Sequence, residues 1–330
     1  MKKMGDFAFI KIDFKVERIK RTLYECTYVQ KGASSYMDKI KTGLIGLNSL
    51  LNGGINRNSI TVVIGAAGSG KTTFATQFLR RGLERGNDGL FISLDENKEQ
   101  LITEAREMGW YNISDHIESE SLIFIDANGK NFSEFVREEL PNFVAEWAGS
   151  NTRIVIDPLT PIIWANEDRY TQRELLMLLF KEIKKIGTSV CTLEEHGISG
   201  DLSGSETFIP MYLSDSIVHL RFVRNDSFTQ RQMEILKCRN SKHSNRSHFF
   251  RIIKGFGIVI ESNGKKGIKK EITTKNIPKI LEADLEDRLS GIPSSAKERI
   301  QQSLARLDDK DFENINLTYL IDRILEDYSD

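Results

Sequence analysis

Cysteine is scarce in this sequence: Cys26, Cys191 and Cys238 are its only three among 330 residues, far apart and in no CxxC pair. So few argue against a disulfide framework and against a structural zinc site, and they point to a reducing compartment, taken as the cytoplasm. An excess of either charge is missing too. The net charge of −1 leaves no global pull toward nucleic acid or anionic lipid. No stretch approaches the roughly 18 apolar residues needed to span a bilayer. The apolar patch at residues 7–10 is too short for a signal sequence and is followed by Lys11 and Asp13. Internal repeats and low-complexity tracts are absent. The expectation is a soluble protein with no membrane contact, and a content of 39% hydrophobic and 28% charged residues fits a globular core.

What is present is an alternation of strand and helix patterns. Residues 60–65, 89–94, 122–126, 153–157, 188–193 and 216–223 are short runs rich in Val, Ile and Phe. Several are apolar throughout, as parallel strands buried on both faces must be. Between them lie helical patterns. One starts in the glycine loop near Lys71 without a side-chain cap. A second carries Phe132, Phe135, Val136, Leu140, Phe143, Val144 and Trp147. A third opens with a capping box from Thr171 to Glu174. These units predict an α/β core, a mainly parallel twisted sheet flanked by helices. Residues 233–239 and 249–260 read as further strands in an antiparallel hairpin at one side. The expected organisation is an N-terminal extension (1–41), the α/β core (42–262), and a basic loop with a helical C-terminal appendage (263–330). In the appendage a capping box runs from Ser295 to Glu298, and Ile300, Leu304 and Leu307, then Leu317, Leu320, Ile321, Ile324 and Leu325, fall on helix faces around an acidic stretch at 308–313. Such faces suit docking on the core or on a protein partner.

Gly65-Ala66-Ala67-Gly68-Ser69-Gly70-Lys71-Thr72 satisfies GxxxxGK[ST] between a strand and a helix. Its glycines allow backbone N–H groups to turn inward around phosphates, and the helix N-terminus adds positive potential. Lys71 supplies a point charge to the β- and γ-phosphates, and the Thr72 hydroxyl a ligand for Mg²⁺; Thr73 follows in the same cradle. A magnesium ion also needs support from the far side, and the run 153–157 ends a buried strand on Asp157, as a Walker B segment does.

These residues, with Gly46-Leu47 and Gly53-Gly54 before the loop, Leu94-Asp95-Glu96, Ser214-Asp215-Ser216 and Ile235–Arg239 with His243, resemble the ATPase domain shared by KaiC and its RecA-superfamily relatives. The resemblance spans roughly residues 42–262. It implies a RecA-like core, ATP and Mg²⁺ as ligands, and a homo-oligomeric ring, most simply a hexamer. It further implies that a carboxylate at Asp95 or Glu96 polarises the attacking water. The family places glutamate at the first of these positions; aspartate is one methylene shorter, so either Glu96 acts or hydrolysis is slow. By the same resemblance Lys237 and Arg239, with His243 at matching spacing, reach the nucleotide of a neighbouring subunit. A solvated basic strand is the other reading, because Lys242, Arg246 and Arg251 extend the same patch. Where the second KaiC domain phosphorylates an adjacent Ser-Thr pair, Met211 and Tyr212 stand here. The resemblance is therefore to the hydrolysing first domain, and no autokinase activity is expected.

Two other functions fit parts of the pattern. A recombinase accessory protein would line its axial loop, residues 196–211 here, with cations. That loop holds no Lys or Arg and carries Asp201 and Glu206; Lys265, Lys266, Lys269 and Lys270 would have to serve instead. Nucleic acid is not an expected partner. A nucleotide-gated assembly ring with little turnover is the third reading, left open by Asp95.

Overall fold

A computed structural model describes residues 38–147, 150–196, 202, 204–225 and 228–261, and singly Lys297, Gln301, Asp322, Arg323 and Leu325. Two compact units divide the chain, Met1–Tyr36 and Met37–Asp330, and the described residues belong to the second. Most of the expected N-terminal extension, the lysine cluster at 265–270, the capping box at Ser295 and nearly all of the C-terminal helical pattern lie outside the described residues.

The described residues start with a small antiparallel pair, β1 (Lys39–Ile40) and β2 (Ile55–Asn56), around the short helix α1 (Leu47–Leu50). The core follows as β3 (Ile60–Gly65), α2 (Lys71–Glu84), β4 (Gly89–Ser93), α3 (Lys98–Glu107), α4 (Asn112–Glu118), β5 (Leu122–Asp126), α5 (Gly129–Glu138), α6 (Leu140–Trp147), β6 (Thr152–Asp157), α7 (Thr160–Trp164), α8 (Arg169–Ile186) and β7 (Gly187–Glu194). It closes with α9 (Ser205–Leu213), β8 (Ser216–Asn225), β9 (Phe228–Cys238), β10 (His248–Ile253) and β11 (Gly257–Ile260).

These strands form one nine-stranded sheet in the order β11-β10-β9-β8-β3-β7-β6-β4-β5. From β8 to β5 all neighbours are parallel, and β9, β10 and β11 extend the sheet antiparallel. The central strands β3, β4 and β6 are buried at every position, matching their apolar runs. Helix α2 lies over one face with Phe74, Phe78 and Leu79 fully or almost fully buried against Val63, Phe91, Val155 and Val218. The strand after β3 in sequence, β4, lies three places away because β7 and β6 intervene. Such a crossover leaves a crevice at the carboxyl ends of the strands, where ligands of open α/β sheets bind.

Four details differ from the sequence expectations. The helix expected through Phe132–Trp147 is two helices, α5 and α6. Pro141 stands one residue into α6, where its missing N–H breaks the ladder from the preceding turn. Helix α8 is capped by Asp168, whose carboxylate accepts from the Thr171 amide at 2.7 Å, so the helix begins ahead of the expected capping box. Residues 249–260 form two strands, because a turn at 254–256 with Gly255 at φ +85 folds β11 back on β10. Finally, the second half of the expected loop at 196–211 is helical, and α9 runs on to Leu213.

Candidate phosphate-binding site

The glycine loop joins β3 to α2 in the conformation that only its residue types allow. Gly68 and Gly70 have φ of +73 and +106. A Cβ on Gly65 would stand 2.5 Å from both the Leu220 carbonyl and Ser69 Oγ. The loop therefore leaves β3 pressed against β8, with no space for a side chain. Ser69 is buried and its hydroxyl has no hydrogen-bond partner among the described residues. Helix α2 begins on Gly70 with no side-chain cap, as expected, so its first amides remain for a ligand.

Lys71 is half-buried and its Nζ donates to the Ala66 carbonyl at 3.1 Å. Burial lowers its pKa, opposed by the charges of Asp157, Glu194 and Glu195. Strand register explains this company: Gly65 pairs with Glu194 across β3 and β7, and Ser93 pairs with Asp157 across β4 and β6. All four strands thus present their carboxyl ends together. Asp157 is buried; burial raises its carboxyl pKa, against hydrogen bonds from the hydroxyls of Thr192 and Thr72.

Asp95 and Glu96 occupy the short link between β4 and the Asn97 cap of α3. The Glu96 amide donates to Ser93 Oγ at 3.0 Å. Asp95 is the more open, and partial desolvation followed by the charges of Glu194 and Asp157 raises its pKa. Glu96 is pushed up to about 7, first by burial, then by Glu104, Asp157 and Asp95.

Lys237, Arg239 and His243 do not join this cluster. Gly65 pairs with Leu220, which pairs with Met233, so that level of β9 lies beside the loop. Thr61 pairs with Ser216, which pairs with Cys238, so Lys237 and Arg239 sit at the opposite strand end, about 13 Å along β3. There Lys237 Nζ donates to the carbonyls of Met211, Tyr212 and Ser214 at 2.8, 3.2 and 2.6 Å, and Arg239 to that of Tyr212 at 2.9 Å. Desolvation and then Arg239 lower the pKa of Lys237. His243 Nδ1 meets the Ser244 carbonyl at 3.1 Å.

Several participants were not singled out from sequence. Thr192 and Glu194 close β7 and Glu195 follows it beside the loop; a Thr-Leu-Glu-Glu exit from a buried parallel strand was a signal comparable to Leu-Asp-Glu after β4. Arg231 donates to the Gly68 carbonyl at 3.3 Å with its guanidinium 5.4 Å from the Phe222 ring, and nothing local in the sequence marks it. A groove of about 790 Å³ between α5, α8 and α9 is lined by none of these residues.

A mainly parallel sheet with a GxxxxGKT turn at its crevice, Thr72 against a buried strand-end carboxylate, and an antiparallel extension beyond β8 define a P-loop protein with a RecA-like core. The family model described as the KaiC ATPase matches residues 40–265, and the chain belongs to that family. Among curated proteins, circadian clock protein KaiC3 of Synechocystis is 31% identical over 68% of this chain and 46% of its own length. A UPF0273 protein of Aeropyrum pernix is 26% identical over 66% of this chain and 91% of its own. The crystal structure of a KaiC-like protein from Pyrococcus horikoshii covers 69% of this chain and all of its own, with a TM-score of 0.58 and 26% identity. The chain spans under half the length of the circadian-clock relatives it matches. Among the described residues, no helix is long and apolar enough to cross a membrane.

Proposed function

We propose that the protein binds Mg·ATP on residues 65–73 and hydrolyses it slowly within a homo-oligomeric ring, most simply a hexamer, serving a regulatory or signalling role. Lys71 holds the β- and γ-phosphates. The residues fit a magnesium ion: Thr72 offers a hydroxyl already hydrogen-bonded to the buried Asp157, a hard oxygen pair of the kind Mg²⁺ takes when a triphosphate completes its shell. When bound, the ion neutralises charge on the phosphate oxygens. Glu96 acts as the base that orients water. A pKa of about 7 places it where a general base works best near neutral pH, and Asp95 supports it from a more open position.

The observation that carries the ring is the placement of Lys237 and Arg239 at the strand end opposite their own phosphate loop. Cations so placed serve a nucleotide only on an adjacent subunit, where a guanidinium can stabilise developing phosphoryl charge; His243 lies beyond them in the same segment. Mixing Lys71→Ala with Arg239→Ala protein tests this. Each variant alone loses turnover, and mixed rings regain part of it. No recovery in rings shown by native mass spectrometry to be mixed would end the trans-acting reading.

A further inference from the structure

Three large apolar side chains stand in solvent around the cations of β9. Helix α9 turns Thr207, Ile209 and Pro210 inward, yet Phe208 and Tyr212, one turn apart on its outer face, are 55% and 59% exposed. Their ring centroids are 4.5 Å apart. The outer face of such a helix is ordinarily polar, and apolar surface gathered in one place marks a contact. The Tyr212 carbonyl accepts from both Lys237 and Arg239, so the aromatic pair lies beside those two cations.

A bulge in β9 supplies the third side chain. Ile217 is level with Lys237 but Val218 with Ile235, so Leu236 is an extra residue with no partner on β8. Met233 and Ile235 point into the core, and unbroken alternation would send Lys237 there next. The extra residue instead puts Cys238 inside and turns Lys237 toward the carbonyls at the end of α9. Leu236 itself is left 40% exposed.

This face lies at the strand end opposite its own phosphate loop, so it can meet a phosphate crevice only on another copy. The rim of the crevice has the matching character. Trp164 closes α7 at 60% exposure, with its ring 5.0 Å from that of His196. His196 Nε2 is 3.8 Å from Glu194 Oε2, and the Glu194 amide donates to Thr160 Oγ at 3.2 Å. Asp95, Glu194 and, in part, Glu96 at about 7 make this rim negative, and Lys71 offsets some of that charge. A bound triphosphate carries more negative charge than one magnesium ion cancels. Lys237 and Arg239 complement the sum.

We propose that Phe208, Tyr212 and Leu236 form the anchor that docks Lys237 and Arg239 onto a second copy of this chain, against the Trp164–His196 edge of its phosphate crevice. The proposal rests on the trans-acting reading of those cations. Two different patches at opposite strand ends make a head-to-tail contact, the kind that closes into a ring. Aromatic anchors facing one another supply most of the attraction in such a contact, and the cations fix its register.

Native mass spectrometry of the full chain with Mg·AMP-PNP, over a range of protein concentrations, reads assembly. Phe208→Ser and Tyr212→Ser each raise the concentration for half-assembly by at least about tenfold. Met177→Ser, at a comparably exposed apolar position on α8, leaves it unchanged. Protein carrying both Phe208→Ser and Tyr212→Ser, mixed with Trp164→Ser protein, forms heterodimers but no rings, because one intact pairing remains between them. Unchanged assembly in the aromatic variants, or a mixture without heterodimers, overturns the proposal, as does an equal loss from Met177→Ser. Should the variants not fold, wild-type fluorescence decides. Trp110 and Trp147 are buried, so a blue shift on assembly reports Trp164 entering the contact, and no shift defeats the pairing. A wild type that stays monomeric at every concentration is a different result: it sinks the ring itself. Failed complementation between Lys71→Ala and Arg239→Ala, in rings that do form, sinks the trans-acting reading instead.

Discussion

The guanidinium of Arg153 lies 4.7 Å from the ring of Phe78 and donates to the Phe78 carbonyl at 2.8 Å. Arg153 is on β6, the strand that ends at Asp157, and Phe78 is on α2, the helix that begins at Lys71. The two strongest motifs of the sequence are therefore tied at their far ends by one buried cation. Gly82 makes the room: a Cβ there would stand 2.2 Å from Arg153 Cδ. Glycine to alanine inside a helix ordinarily stabilises by up to about 1 kcal/mol. Here Gly82→Ala should destabilise instead, by roughly 1–3 kcal/mol from overpacking. In an Arg153→Ala background, itself less stable by about 3 kcal/mol, the added methyl should become neutral or favourable. Urea denaturation of the four proteins completes the cycle, and additive penalties would show that the two positions do not compete for the same space.

Turnover should rise with pH through about 7, because Glu96 is useful as a base only when deprotonated. Glu104 is the largest charge contribution to that raised value, so Glu104→Gln should move the midpoint of the acid limb downward without abolishing activity. Glu96→Gln should cost about 100-fold or more in kcat, and Asp95→Asn less. Stability runs the other way. A carboxyl whose folded pKa is raised burdens the folded state above its unfolded pKa, fully so above about 7. Glu96→Gln should then melt higher than wild type at pH 8 and together with it near pH 4. Phosphate release and melting curves across pH 4–9 check both halves.

Much of this fold was legible because buried parallel strands write themselves as unbroken apolar runs. All six sequence-read strands from 60–65 to 216–223 appear within a few residues of their expected bounds. Periodicity failed where a single backbone feature decided: Pro141 splits a continuous apolar helical face, and the turn at Gly255 splits an apolar run into a hairpin. The turn from β3 into α2 was readable because it is set locally, by glycines at Gly68 and Gly70 that take positive φ. Arg231 was not, because strand order brings it to the loop from β9, and a sequence does not display which strand lies beside which. The strand-end separation of Lys237 and Arg239 from Lys71 is likewise a product of register.

Asp157→Asn should separate binding from stability. Burial raises the Asp157 pKa, so a neutral amide removes a charge from the interior and should raise the melting temperature of the nucleotide-free protein at pH 8. On the proposed reading the same change also removes the anionic support for magnesium. The Mg²⁺ concentration needed for half-maximal nucleotide binding should rise at least about tenfold, while binding without added metal changes little. A lower melting temperature together with unchanged Mg²⁺ dependence would contradict both parts.

The loop glycines should differ in how they fail. Gly65→Ala places a methyl 2.5 Å from the Leu220 carbonyl and Ser69 Oγ, and backbone on the β8 side cannot retreat without parting the sheet. Nucleotide binding should be lost and stability should fall by several kcal/mol, on the order of other core overpackings at the severe end. Gly68→Ala meets nothing within 4 Å, yet its φ of +73 is one that alanine adopts at a cost of about 1 kcal/mol. That variant should fold nearly as well as wild type and bind nucleotide a few-fold to tenfold more weakly, since the strain falls on the loop alone. Side-by-side denaturation and Mg·ADP titration of the two proteins measure the contrast. Equal losses of stability would mean that the loop's conformation, rather than its contact with β8, governs both positions.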